Sequence, residues 1–97
     1  MPAVTEGGEV MYAIVTKVKV ENPEESRKEL ERARVPLLQR APGMVHAYWL
    51  EPLDGIGMSV IIFENREAAD AAFAYPVPPL PGVDVLTKEI REVYASV

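Results

Sequence analysis

The stretch from Gly43 to Glu64, GMVHAYWLEPLDGIGMSVIIFE, leaves this chain few folds to choose from. It holds two runs of strand-forming residues joined by a segment rich in turn formers. Side chains alternate across an extended chain, so Met44, His46, Tyr48 and Leu50 fall on one face of the first run and Val45, Ala47 and Trp49 on the other. In the second run, about Gly57 to Glu64, Met58, Val60 and Ile62 oppose Ser59, Ile61 and Phe63. Between the runs, Pro52 fixes φ, Asp54 tolerates a left-handed backbone, and Gly55 and Gly57 leave φ free, which is what a reversal needs. The segment reads as a β-hairpin, and both faces of its strands are mostly apolar.

The rest of the chain supplies partners for that hairpin. Met11 to Val20 alternates as a strand, with Tyr12, Ile14, Thr16, Val18 and Val20 on one side and two lysines, Lys17 and Lys19, on the other. Asn22, Pro23, Glu24 and Glu25 then read as a helix start, with Asn22 as cap, Pro23 at the first helical position, and the glutamates suited to the helix dipole. The helix runs to about Gln39, carrying Leu30, Ala33, Leu37 and Leu38 on one stripe and Arg27, Lys28, Glu31 and Arg32 outside it. Pro36 should kink its last turn or set it apart as a short element. Asn65 caps a second helix from Arg66 to about Ala74, whose alanine-rich stripe predicts close packing on a sheet. The segment YPVPPLPG, residues 75–82, excludes helix and central strand and reads as a stiff connection or, in the sharper alternative, a proline-motif ligand. A last strand is expected from Val83 to about Tyr94, with Val85, Thr87, Glu89, Arg91 and Val93 on one face and Leu86, Lys88, Ile90, Glu92 and Tyr94 on the other.

The order β-α-β-β-α-β predicts an α+β, ferredoxin-like domain: a four-stranded antiparallel sheet with two helices on one face. A flexible tail is expected over residues 1–10 and a single domain over 11–97, with Met1 and Met11 both open as the start. Helices on one face leave the other uncovered. An antiparallel sheet facing water should be polar there, yet the hairpin strands are apolar on both faces, so a second copy of the chain related by a two-fold axis is the economical cover. The net charge of −5 disfavours nucleic acid and anionic membranes, which attract clustered Lys and Arg. The absence of cysteine excludes a disulfide framework, a thiolate metal site and a cysteine nucleophile, and a single histidine argues against a metal centre. With no apolar run of membrane-spanning length and no basic-then-apolar leader, the expected location is the cytoplasm.

Three segments carry a resemblance: the first strand, VPLLQRAPGMVHAYWLE (Val35 to Glu51) and VIIFENREAADAAF (Val60 to Phe73). With a proline near the helix end, Pro-Gly before the second strand and an acidic, alanine-rich junction into the second helix, the chain resembles the dimeric α/β-barrel superfamily that includes the antibiotic biosynthesis monooxygenases, over roughly Met11 to Tyr94. The resemblance implies a homodimer whose sheets pack face to face, forming a dimeric α/β barrel with a pocket in each subunit. It also implies a small aromatic ligand; members of the superfamily include cofactor-independent oxygenases of aromatic polyketides or quinols and heme-degrading enzymes. The oxygenase residue sets do not transfer position by position, because the first strand here has no Asn, the tryptophan is Trp49 and the histidine is His46.

The residues themselves offer several candidates. His46 and Tyr48 share a face and suit an acid-base or hydrogen-bonding pair acting on a phenolic ligand; the alternative is a structural or interface role. Trp49, facing the other way, offers a stacking surface or a core contact. Tyr12, with Tyr94, lies near strand ends, and Arg91 suits an anionic ligand or a cross-strand carboxylate such as Glu89 or Glu92. No phosphate loop, serine-nucleophile motif or metal-ligand spacing is present in the sequence, and no cofactor is expected. Three readings follow: a protein that binds a small aromatic or apolar molecule, a cofactor-independent monooxygenase, and a structural or regulatory homodimer without a ligand.

Overall fold

A computed structural model of the chain describes residues 10–77 and 80–97. Residues 1–9 of the expected tail, and Pro78 and Pro79 of the proline-rich connection, lie outside the described residues. The elements are β1 (Tyr12–Val20), α1 (Pro23–Glu29), a π-helical turn (Leu30–Arg34), α2 (Val35–Gln39), β2 (Met44–Leu53), β3 (Ile56–Phe63), α3 (Arg66–Ala74) and β4 (Val83–Glu92). The four strands form one sheet in the order β2-β3-β1-β4, antiparallel at every pairing. Each helical connection therefore passes over one intervening strand, the ferredoxin-like arrangement.

Local chemistry sets the boundaries. The Asn22 side chain accepts the Glu25 N–H at 3.2 Å, and Asn65 accepts the Ala68 N–H at 2.8 Å, so each helix starts on a side-chain cap. The disturbance expected at Pro36 falls one turn earlier. The Val35 N–H reaches back five residues to the Leu30 carbonyl, and the widened turn gives the proline ring room against the carbonyl four residues before it. Pro36 itself then sits in the first turn of α2, where its missing N–H costs nothing. The hairpin turn is tighter than the four-residue set predicted: Asp54 (φ 52°) and Gly55 (φ 80°) alone make it, both left-handed as a two-residue type I′ turn requires. β2 consequently runs through Pro52, which an edge strand tolerates where the ladder is already interrupted between Leu50 and Leu53.

Two irregularities reassign side chains between faces. The register shift between Met44 and His46 places Met44 opposite Phe63, so Met44 joins the helix-covered face rather than the face of His46 and Tyr48. A second shift, opposite Lys17 and Val18, pairs Val85 with Val18 and Thr87 with Lys17, so Val85 parts company with Thr87, Glu89 and Arg91. Elsewhere the alternation holds, and the helix-covered face carries Ile14, Thr16, Ile61, Phe63 and Trp49.

The two helical layers pack differently. Under α3, Ile14, Phe63 and Ala69 form the buried core, with Met44, Ala68, Ala72 and Phe73 packed around it. Alanines let α3 approach the sheet closely, as the sequence predicted. Under α1, the π turn and α2, Ser26 is the one buried residue. The stripe expected to bury there stays open: Leu30 and Leu38 are half-buried and Leu37 is exposed. No helix among the described residues is long and apolar enough to cross a membrane.

Candidate functional site

The space under the first helical stretch is a cavity of about 440 Å³. Its roof comes from Pro23, Ser26, Leu30, Arg34, Leu37 and Leu38, whose spacing of three or four residues keeps them on one side of the helix. Its floor is the helix-covered face of the sheet, and the connection after α3 contributes Tyr75, Val77 and Leu80 at one side.

The floor has a pattern across the strands. Trp49 pairs with Ser59, Ser59 with Thr16, and Thr16 with Lys88, so one transverse row of the sheet carries four polar-tipped side chains. The row beside it, with Ile61 opposite Ile14 and Ile14 opposite Ile90, is apolar and leads into the core. Above the floor, Arg34 occupies an inward position of the helix stripe. Collapse of roof onto floor would take the Thr16 and Ser59 hydroxyls out of water, which is costly unless they are bonded there. Partial burial pushes the Arg34 guanidinium below its ordinary pKa, yet arginine remains charged. At the rim, Arg27 and Glu51 pair at 3.3 Å between exposed side chains, an interaction worth little in water. The Lys88 ammonium donates to the Phe73 carbonyl at 3.2 Å and lies 4.5 Å from the centre of the Phe73 ring.

The residues singled out in the sequence divide between the two faces. Trp49 lines the cavity and is half-buried. Tyr12 shares its sheet face but sits at the α3 end, against the core and under the Arg66 guanidinium at 5.6 Å. His46 and Tyr48 lie on the open face, exposed, with ring centres 6.0 Å apart. Arg91 is on that open face too and pairs with Glu89 at 3.6 Å. Tyr94 is 85% exposed beyond the end of β4. The structure thus brings Trp49 together with Arg34, Thr16, Ser59 and Lys88, none of which sequence reasoning had selected. Arg34 had a legible signal, since it falls four residues after Leu30 and three before Leu37, inside the apolar stripe.

Chemically, this arrangement places polar side chains beside apolar ones around one concave space. Its floor and roof offer hydrogen-bond donors among apolar walls, and the histidine of the chain is outside the lining. Among the described residues no cluster of three or more His, Cys, Asp and Glu side chains is placed to hold a metal ion.

No family model matches the sequence, and comparison with curated proteins found no match. Among solved structures, the chain is similar to a heme-degrading protein from Mycobacterium tuberculosis, crystallised heme-free with cleaved protein. The two share 24% sequence identity, with 89% of this chain and 96% of that one covered at a TM-score of 0.55. At that identity the likeness speaks to architecture: this chain has the ferredoxin-like α+β fold, a four-stranded antiparallel sheet with its helices on one face.

Proposed function

We propose that this protein binds a small aromatic or apolar molecule in the cavity between its sheet and its first helical stretch, and that it does so as a cytoplasmic homodimer. The cavity carries the reading. Its volume of about 440 Å³ lies within the roughly 300–1,000 Å³ of small-molecule sites, and its apolar walls with a few convergent polar groups are the lining such sites have. Trp49 gives a flat ring a surface to stack on. The test is thermal unfolding against a panel of quinols, anthrones, flavin and heme. A ligand at about 100 times its dissociation constant adds about 2.7 kcal/mol, which in a domain of this size raises the midpoint by roughly 10–20 °C. If no member of the panel moves the midpoint, the reading fails in favour of a structural or regulatory dimer.

The homodimer rests on the open face. Tyr48, Leu50, Leu53 and Ile56 are 52%, 53%, 77% and 38% exposed there, beside Val60 and Ile62. An apolar strip of that kind on a small domain calls for a cover, and a self-complementary two-fold contact supplies one. His46 and Tyr48 would then lie at the interface rather than at the ligand. A solution mass equal to one chain at micromolar concentration overturns the dimer.

A second reading, a cofactor-independent monooxygenase acting on an aromatic polyketide or quinol, is favoured by the place of Trp49 in the cavity. Heme belongs in the panel because the structural neighbour is described as degrading it, although the lining here offers no histidine to an iron. Oxygen consumption with whichever ligand raises the midpoint separates enzyme from binder.

A further inference from the structure

We infer that the cavity selects rings with a polar edge over purely apolar ones: a flat, uncharged ring system carrying a carbonyl beside a ring N–H, read by the Thr16 and Ser59 hydroxyls and the Trp49 indole. The inference rests on the cavity being a binding site and names the residues that choose its ligand.

The floor carries polar groups that the protein itself does not answer. Among the described residues, the Thr16 and Ser59 hydroxyls and the Trp49 indole N–H form no hydrogen bond with another protein group. Lys88, at the end of the same row, is exposed and already donates to the Phe73 carbonyl. Thr16, Ser59 and Trp49 line the cavity and are half-buried. A molecule seated on this floor therefore takes water from them, and binds well only if it replaces the hydrogen bonds that water made.

Their placement sharpens the point. Thr16 pairs with Ser59 and Ser59 with Trp49 across the adjacent strands β1, β3 and β2, so neighbouring residues stand about 5 Å apart on one face of the sheet. The rows on either side are apolar, with Ile14 and Ile61 toward the core and Val18 and Gly57 toward the hairpin turn. A few polar groups set in an apolar lining fix the orientation of a small molecule and supply its specificity.

The chemistry of the three groups names the ligand edge. The indole N–H only donates, whereas each hydroxyl both donates and accepts. A carbonyl oxygen accepts from such a row, and an N–H beside it finds its acceptor in a hydroxyl. A hydrocarbon ring answers none of them, and a site built to bond a polar group discriminates strongly against an analogue that lacks it. Leu30 and Leu38 above and Ile61 below cover the rest of the ring system.

The test titrates two uncharged, flat, two-ring probes, 2-quinolinone and naphthalene, into the ¹⁵N-labelled full-length chain and follows amide and indole chemical shifts. Transfer from water into an apolar space favours naphthalene, which has no polar group to desolvate. The inference predicts the reverse order, with 2-quinolinone bound about tenfold more tightly or better, the size of one or two net hydrogen bonds. Thr16→Val combined with Ser59→Ala removes both hydroxyls at nearly constant shape and should cut that preference by about fivefold or more, without weakening naphthalene. Thr87→Val, at an exposed hydroxyl outside the lining, should leave both affinities as they were. A preference under about threefold in the unaltered chain, or one that falls by less than about threefold when both hydroxyls are lost, overturns the inference and leaves the cavity standing. Binding of neither probe overturns the cavity reading and this inference with it. Circular dichroism checks that each variant folds, and the wild-type probe ratio decides the matter even where a variant does not.

Discussion

Replacing Phe63 and Leu30 by alanine, one at a time, should cost very different amounts of stability although both belong to the apolar pattern of the sequence. Phe63 is 0% exposed and sits at the centre of the packed core with Ile14 and Ala69. A buried phenylalanine cut to alanine loses about 3–5 kcal/mol, the transfer energy plus the cavity left behind. Leu30 is half-buried and already faces open space. A packed leucine would cost about 2–5 kcal/mol; here no new cavity is created and only part of the side chain leaves contact, so about 1 kcal/mol is expected. At roughly 4–8 °C per kcal/mol, the midpoints should fall by at least about 12 °C for Phe63→Ala and by less than about 8 °C for Leu30→Ala. Thermal unfolding followed by Trp49 emission gives both midpoints, at one fixed protein concentration because association would contribute to apparent stability. A loss at Leu30 equal to that at Phe63 would refute the reasoning, because it would mean that the first helix packs on the sheet and that no cavity separates them.

Three further outcomes are expected. Gly43 has φ +77°, and a Cβ there would lie 2.7 Å from the Ala68 Cβ, so Gly43→Ala should cost about 1–3 kcal/mol in a denaturant titration, with Ala68→Gly relieving the steric part and making the pair non-additive. The Arg32 guanidinium, hydrogen-bonded at 2.7 Å, holds the Glu29 carboxyl below the ordinary glutamate value; an NMR titration should show that depression, and Arg32→Gln should remove it. Because the folded-state value is the lower one, the contribution of this pair is present above the ordinary glutamate range and is lost as pH falls through the depressed value. Val60→Glu, which puts a charge on the open face, should reduce the solution mass from two chains to one without altering the circular dichroism spectrum.

The architecture was legible because its signals are local. Alternation marked β1 and β3, asparagine caps marked both helix starts, and the turn formers Pro52, Asp54, Gly55 and Gly57 marked the hairpin, each through a preference acting within a few residues. The alanine stripe of α3 even foretold its close packing. What escaped were features set by the partner strand or by the third dimension. A bulge leaves no trace in composition, so Met44 and Val85 were assigned to the wrong faces by strict alternation. The stripe of the first helix was legible as apolar, but only the tertiary structure shows that Leu30 and Leu38 face a cavity. Trp49 was selected for its chemistry and does line that cavity, whereas His46 and Tyr48, selected for theirs, point to the opposite side of the sheet. Thr16 and Ser59 looked like ordinary interruptions of apolar strands, because only the register places them side by side with Lys88.

The claim that the ligand site lies under the first helix is tested most directly by amide and indole chemical shifts of the ¹⁵N-labelled protein, titrated with the tightest-binding member of the ligand panel. The account predicts shifts concentrated at the Trp49 indole and at Thr16, Leu30, Arg34 and Ser59, with His46, Tyr48 and Val60 unmoved. Shifts gathered on His46, Tyr48 and Val60 instead would place the ligand on the open face and contradict it.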